Sequence, residues 1–539
     1  MRALFTILAL TLALSAAPAR AESLRNELAA QFEVALTSAR AEAAQDALAQ
    51  LEAFYRSRAM APLWVGETGL RPRGEEVARL LGLAAADALD PRDYGVPAIE
   101  ALLGTLVGAR APERLAELEL RLSLGLVTFA ADLGQGRVAP HISDPDLFVF
   151  REEVDKAAVI AAAAQAKDLP GLLQRYRPQT PRYERLKAAL ARYRELAAQG
   201  GWAPIAEGPV LKPGMTDPRV PALRQRLALW GDLETASAAA DPELYGADLV
   251  RAVARMQWRH GLEPDGVVGR KTLAAFNVPL ERRIGQMTIN LERRRWMPDD
   301  LGERFIFVNL ADFVLKVVEK EKTILDMRVV VGKPFHMTPV FSHEMTYVVM
   351  NPYWNVPPSI ASKELLPKIK QNVSYLAENN FELFTDWSSG AGKLDPRGVD
   401  WARVNGNSFP YKLRQGPGDG NALGRMKFMF PNRFNVYLHD TPAKALFKKD
   451  QRSFSHGCIR VHHPELLGAV VLDKTEGWPQ SRIEETIAGG ERRVVTLAAP
   501  LPVHISYLTA WVNKDGSLHF RDDIYGRDKK LADALLGAF

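Results

Sequence analysis

Phe305-Ile306-Phe307-Val308-Asn309-Leu310 is where the chain changes its period. The run is aromatic and β-branched, and it is followed by Val314-Leu315-Lys316-Val317-Val318 and Met327-Arg328-Val329-Val330-Val331. Turn or charged residues separate the three. Tyr347-Val348-Val349-Met350, Val494-Val495-Thr496-Leu497 and Val503-His504-Ile505 continue the pattern. Short apolar runs of this kind, bounded by turn formers, predict strands joined in hairpins. The expectation for residues 304–539 is therefore an antiparallel β-sandwich or barrel of roughly 200 residues.

Upstream the period is helical. Leu115, Leu118, Leu122, Leu126, Phe129 and Leu133 recur every three or four residues, as do Leu186, Leu190, Tyr193 and Leu196. Each set makes one apolar helix face. Residues 22–205 read as a helical scaffold in which Tyr55, Trp64 and Tyr94 pack the core. Before them, Met1-Arg2, an apolar run and Ala19-Arg20-Ala21 predict an export signal over 1–21, cut after Ala21. No later stretch reaches the roughly 20 apolar residues of a membrane span. Residues 206–280 give a small three-helix unit: Val220, Leu223 and Leu227, then Leu249, Val253 and Met256, then Thr272-Leu273 after the Asp265-Gly266-Val267-Val268-Gly269 turn. Residues 281–303 read as a linker helix whose Arg293, Arg294 and Arg295 form a solvated face. The whole is a multi-domain α+β chain.

Within the β region the strand rhythm stops over 351–418. Pro352-Tyr353-Trp354-Asn355-Val356-Pro357-Pro358 opens this insertion, and Trp354, Trp387, Trp401 and Tyr411 argue for a folded cap over nearby catalytic segments.

Cys458 is the single cysteine among 539 residues, so no intramolecular disulfide can form. An unpaired thiol in an exported protein is open to oxidation, and catalysis gives a reason to keep it. The net charge of +5 is small for this length and suits an anionic polymer surface. No basic stripe or aromatic-basic array points to nucleic acid.

The thiol lies in Ser455-His456-Gly457-Cys458-Ile459-Arg460. Gly457 permits a tight turn that presents amide N–H groups, and His456 and Arg460 make the surroundings electropositive, which favours a thiolate. Upstream, Phe434-Asn435-Val436-Tyr437-Leu438-His439 alternates with period two. Phe434, Val436 and Leu438 share the core face, and Asn435, Tyr437 and His439 the other. His439 is the candidate base. His462 and His463 precede Pro464 and read as the entry to a helix.

His439 followed by Ser455-His456-Gly457-Cys458-Ile459-Arg460 resembles the signature of the L,D-transpeptidase family. Gln415-Gly416-Pro417-Gly418, Asn421-Ala422-Leu423-Gly424-Arg425, Lys427-Phe428, Asn351-Pro352-Tyr353-Trp354 and Phe520-Arg521-Asp522-Asp523-Ile524-Tyr525-Gly526 are similar to its large periplasmic members. The three-helix unit resembles a peptidoglycan-binding domain. The resemblance implies an exported, periplasmic, cofactor-free enzyme that acts on peptidoglycan stem peptides. Cys458 is then the nucleophile and His439 the base. Ser455, His456 and Gly457 form the oxyanion hole and its support, and Tyr437, Arg460 and Trp354 are substrate contacts. The product would be a 3→3 cross-link formed with release of D-Ala. Three other readings remain: hydrolytic trimming of the same tetrapeptide, a wall-binding scaffold without activity, and a metal site built from His439, His456, Cys458, His462 and His463. The last lacks the usual ligand spacing.

Overall fold

The computed structural model describes residues 2–105, 111–149, 152–234, 241–405 and 409–537, with side chains from 20 to 535. Most of the export-signal reading over 1–21 falls on side chains outside that range. Among the described residues no helix is long and apolar enough to cross a membrane.

The N-terminal helices form where the 3.6 period puts them. Pro112–Gln135 buries Leu115, Leu118, Leu122, Leu126, Phe129 and Leu133 against Leu51, Tyr55, Trp64 and Val77. Glu119, fully buried on the same helix, accepts hydrogen bonds from the Tyr55 hydroxyl at 2.5 Å and from the Trp64 and Val65 amides at 2.8 and 3.0 Å. A carboxylate can sit in this core because donors surround it.

The three-helix unit spans Val220–Trp230, Ala247–Arg259 and Arg270–Phe276 around Leu223, Leu227, Leu249, Val253, Met256 and Phe276. Gln257 fastens its turn: Nε2 donates to Asp265 and to the Val267 carbonyl, while Oε1 accepts from the Gly266 amide.

The helix Leu280–Arg295 departs from the expected linker with a solvated arginine face. Arg293, Arg294 and Arg295 are 5%, 8% and 3% exposed. Leu280, Met287 and Leu291 pack with Tyr183, Leu186 and Leu190 and with Val512 and Phe520, while Ile289 and the following Trp296 join the β core. The helix is a strut between layers. Arg293 pairs with Asp528 at 2.5 Å and Arg295 with Glu292 at 2.9 Å. Spacing alone cannot tell water from a polar interface, which is why these arginines looked solvated.

The β region is a barrel. Its strands run in the order Met426–Met429, Leu438–His439, Ile459–Val461, Lys322–Gly332, Val314–Glu319, Arg304–Asn309, Arg493–Ser506 and Val340–Met350, and the last pairs back to the first. Two features differ from the hairpin expectation. Leu438–His439 with Ile459–Val461, and Arg304–Asn309 with Arg493–Ser506, are parallel. The runs around Val494 and Val503 are one strand, with a register shift between Thr496 and Leu501. Leu147–Phe148 from the helical part also adds in parallel to Val340–Phe341. After Arg460, His463 occupies the N-cap position of the helix Pro464–Leu472, without a side-chain cap bond; Leu467, Gly468, Val471 and Leu472 are buried, Val470 packs partly buried against the core, and Leu466 is exposed.

The insertion folds on its own core of Val356, Leu365, Ile369, Leu383, Trp401 and Leu413 beside a four-stranded sheet. Met350 pairs directly with Met426, so the cap leaves and rejoins the barrel between two neighbouring strands. Its size therefore leaves the barrel register intact.

Replacing Glu292 by Ala strips Arg295 of its carboxylate and the Val138 amide of an acceptor held at 3.0 Å. Loss of one member of a buried pair costs about 3–5 kcal/mol. Thermal unfolding followed by circular dichroism should show a fall of several degrees; an unchanged midpoint would mean that the strut is not load-sharing.

Candidate active site

Barrel closure assembles the site. Lys427 lies opposite His439 in one antiparallel pair, and His439 opposite Arg460 in the neighbouring parallel pair. Leu438 is opposite Ile459, so Cys458 sits one residue before the pairing begins, beside Tyr437. The Ile459 amide donates to the Tyr437 carbonyl at 3.2 Å. Val436 and Leu438 face the core, and Phe434 packs at its edge. The Cys458 thiol lies 3.7 Å from the Asn435 carbonyl, and the Tyr437 hydroxyl also hydrogen-bonds to it.

His439 is 4% exposed, and its Nδ1 is 2.5 Å from the Asp440 carbonyl. A carbonyl only accepts, so Nδ1 carries the proton. Asp440 is itself held: its carboxylate accepts from the Arg425 amide at 2.8 Å and from Lys444 at 2.5 Å. Gly424 turns at φ +61 directly over it, where a Cβ would fall 2.2 Å from the carboxylate. Burial, then the charges of Arg460 and Lys427, bring the imidazole pKa down to about 3, against the pull of the Asp440 and Leu423 carbonyls. The ring is neutral at ordinary pH.

Cys458 is half-buried. Burial pushes the thiol above its ordinary range, opposed by hydrogen bonds from Tyr437 and by the charges of Lys427 and Arg460. That direction runs against the expectation that the electropositive loop favours a thiolate. Desolvation outweighs the nearby cations.

Lys427 is a site residue whose role the sequence reading missed. Its ammonium lies 3.8 Å from the Tyr437 ring centroid, and burial lowers its pKa while Cys458 opposes that. The period-two pattern in Met426–Met429, with Met426 and Phe428 fully buried, puts Lys427 on the His439 side and was the available signal.

The rest of the loop is built for shape. Gly457 has φ +113, closed to most side chains. Its amide donates to Ser455 Oγ at 3.1 Å, Ser455 Oγ donates to the Cys458 carbonyl at 2.5 Å, and Thr338 Oγ1 donates to the Gly457 carbonyl at 2.8 Å. The Gly457 amide is therefore already engaged within the loop. His456 points to the cap, with Nε2 2.5 Å from Glu364 Oε1 and its ring 5.1 Å from that of His336. Arg460 keeps a buried Nε without a partner. Trp354 packs on the cap core at 6.1 Å from Phe381.

Three segments match known family models. Residues 49–190 match a scaffold domain, 216–276 a peptidoglycan-binding domain and 303–476 the L,D-transpeptidase catalytic domain. A Haemophilus influenzae protein that carries the L,D-transpeptidase name is 35% identical over 246 residues, 46% of this chain and 48% of that one. The chain thus matches about half the length of this curated relative. Solved structures of L,D-transpeptidases from Xylanimonas cellulosilytica and Stackebrandtia nassauensis are 16% and 14% identical. Each covers 56% of this chain, and 99% and 96% of their own lengths are matched, with TM-scores of 0.18 and 0.21.

A thiol raised above its ordinary range, in a site whose imidazole is already neutral, gives a pH signature. Alkylation of Cys458 by iodoacetamide, read by intact mass, should climb about tenfold per pH unit between 6 and 8 with no plateau, because the thiolate fraction grows throughout that range. A plateau below pH 8 would mean a preformed thiolate–imidazolium pair.

Proposed function

Residues 303–476 are of the L,D-transpeptidase catalytic-domain family, and on that premise we propose that the protein is a cysteine transpeptidase of the cell wall. The observation that supports this most directly is the backbone pairing of the His439 strand with the strand that Cys458 enters, with the imidazole aligned by the Asp440 carbonyl. That is the nucleophile–base–orienter arrangement of acyl transfer.

In the proposed reaction, the donor is a stem tetrapeptide, and the attacked carbonyl belongs to the diaminopimelate residue before its terminal D-Ala. His439, through Nε2, takes the Cys458 proton as the sulfur attacks. The C–N bond to D-Ala breaks, the imidazolium returns the proton to the departing amine, and a thioester remains. The side-chain amine of an acceptor diaminopimelate then attacks the thioester and gives its proton to His439. The sulfur leaves and is reprotonated, and a 3→3 cross-link is the product.

Starting from a thiol suits this sequence. A neutral imidazole can accept the proton only as the transition state forms, and Lys427, Arg460 and the Tyr437 hydroxyl stand where negative charge on sulfur develops. For the acyl oxyanion, the amides of His456 and Cys458 are assigned as donors, with Ser455 and Gly457 holding the turn. Arg460, with its unpartnered Nε, is assigned to a substrate carboxylate, and Tyr437 to sulfur contact. Trp354 is assigned to seating the cap above the donor. The peptidoglycan-binding domain over 216–276 is assigned to holding the chain on the wall, and the N-terminal signal to export into the periplasm.

The test is mass spectrometry of the full chain incubated with a disaccharide tetrapeptide. Free D-Ala together with a linked dimer is the expected result, and Cys458→Ala should lower it on the order of 10³-fold or more. Tripeptide without dimer would reassign the enzyme to hydrolysis; unchanged turnover in Cys458→Ala would end the cysteine mechanism.

A further inference from the structure

The helix Leu280–Arg295 ends in three consecutive buried arginines, and only two of them have carboxylates. Arg293 pairs with Asp528 and Arg295 with Glu292. Arg294, 8% exposed, has neither: its Nε is buried without a hydrogen-bond partner. It lines a cleft of about 660 Å³ between the helical layer and the outside of the barrel. Arg182 and Arg185, one turn apart on the helix Pro181–Ala198, line the same cleft.

Of the acids around this cleft, Asp312 pairs with Arg521 at 2.6 Å and Asp515 accepts the Ser517 amide at 2.9 Å. Glu321 faces Lys514 at 3.7 Å, and its charge also acts on Arg182, which leaves Arg185 and Arg294 without a facing carboxylate among the described residues. Among the described residues, none of the three arginines forms an ion pair. The guanidinium groups feel one another: burial, then Arg182 and Arg185, lower the Arg294 pKa to about 9. An uncompensated buried cation is costly, and its neighbours increase that cost. Phe305 and Phe307 form the facing wall on the barrel strand Arg304–Asn309.

We propose that Arg182, Arg185 and Arg294 form an oxyanion site that binds the carboxylate or phosphate group of a ligand whose apolar body lies against Phe305 and Phe307. All three line one cleft, and a guanidinium fork suits the oxygens of either group. An anion there supplies the countercharge that the fold leaves out, and it bridges the helical scaffold to the catalytic barrel. The site is independent of the chemistry at Cys458, so its failure would leave the transpeptidase reading untouched.

Isothermal titration of the full chain at constant ionic strength, with inorganic phosphate and separately with succinate, tests it. Saturable binding of at least one anion is expected, and the Arg182→Gln/Arg185→Gln double variant should bind about tenfold more weakly. Both replaced side chains are only half-buried, so this variant should keep the wild-type unfolding midpoint and its activity at Cys458. Arg294→Gln should weaken binding in the same way. Phosphate binding alone assigns a phosphate ligand, and succinate binding assigns a carboxylate. No saturable binding of either anion, or an affinity unchanged in both variants, overturns the proposal.

Discussion

Two backbone pairings, Leu438 with Ile459 and His439 with Arg460, hold the chemistry together. They are parallel, so the chain must leave the barrel after His439 and return in the same direction before Ile459. The excursion delivers the Ser455–Cys458 turn to the rim. Each of the two short strands is gripped on its other edge, by Lys427–Phe428 on one side and by Val329–Val330 on the other. Barrel closure removes free edges, so a two-residue strand can be held in fixed register. The imidazole and thiol are thereby set by the barrel, not by loop flexibility.

The turn itself is braced from distant parts of the chain. Thr338 holds the Gly457 carbonyl, and the Thr338 carbonyl accepts from Arg527, whose guanidinium is fully buried against Asp144 of the helical layer. The Tyr525 hydroxyl holds the Gly332 carbonyl at 2.6 Å in the same cluster. The helical scaffold is thus continuous with the Ser455–Cys458 turn through charged and polar contacts. Such interfaces resist dry separation, because parting them leaves buried charges unpaired. The same design explains why the strut helix carries arginines where a core helix would carry leucines.

Electrostatics at the site rest on competition between burial and nearby cations. For Cys458 burial wins, despite Lys427, Arg460 and the Tyr437 hydroxyl. For His439 burial and the same cations act together, and the neutral ring follows. Burial thus favours the uncharged form of each.

Much of this was readable from local pattern. The 3.6 period marked the helices, and the apolar runs marked most of the strands. Alternation in Phe434–His439 put His439 opposite the core, and Gly457 announced the turn. The sequence by itself determined which face each strand residue would occupy and where the turn would fall, because those depend on neighbours along the chain. Only the tertiary structure decided that Arg293–Arg295 are buried, that Lys427 stands beside the thiol, that His456 reaches Glu364 of the cap, and that burial raises the pKa of the thiol. Each of those depends on desolvation and on groups far apart in sequence, and neither spacing nor composition carries that information.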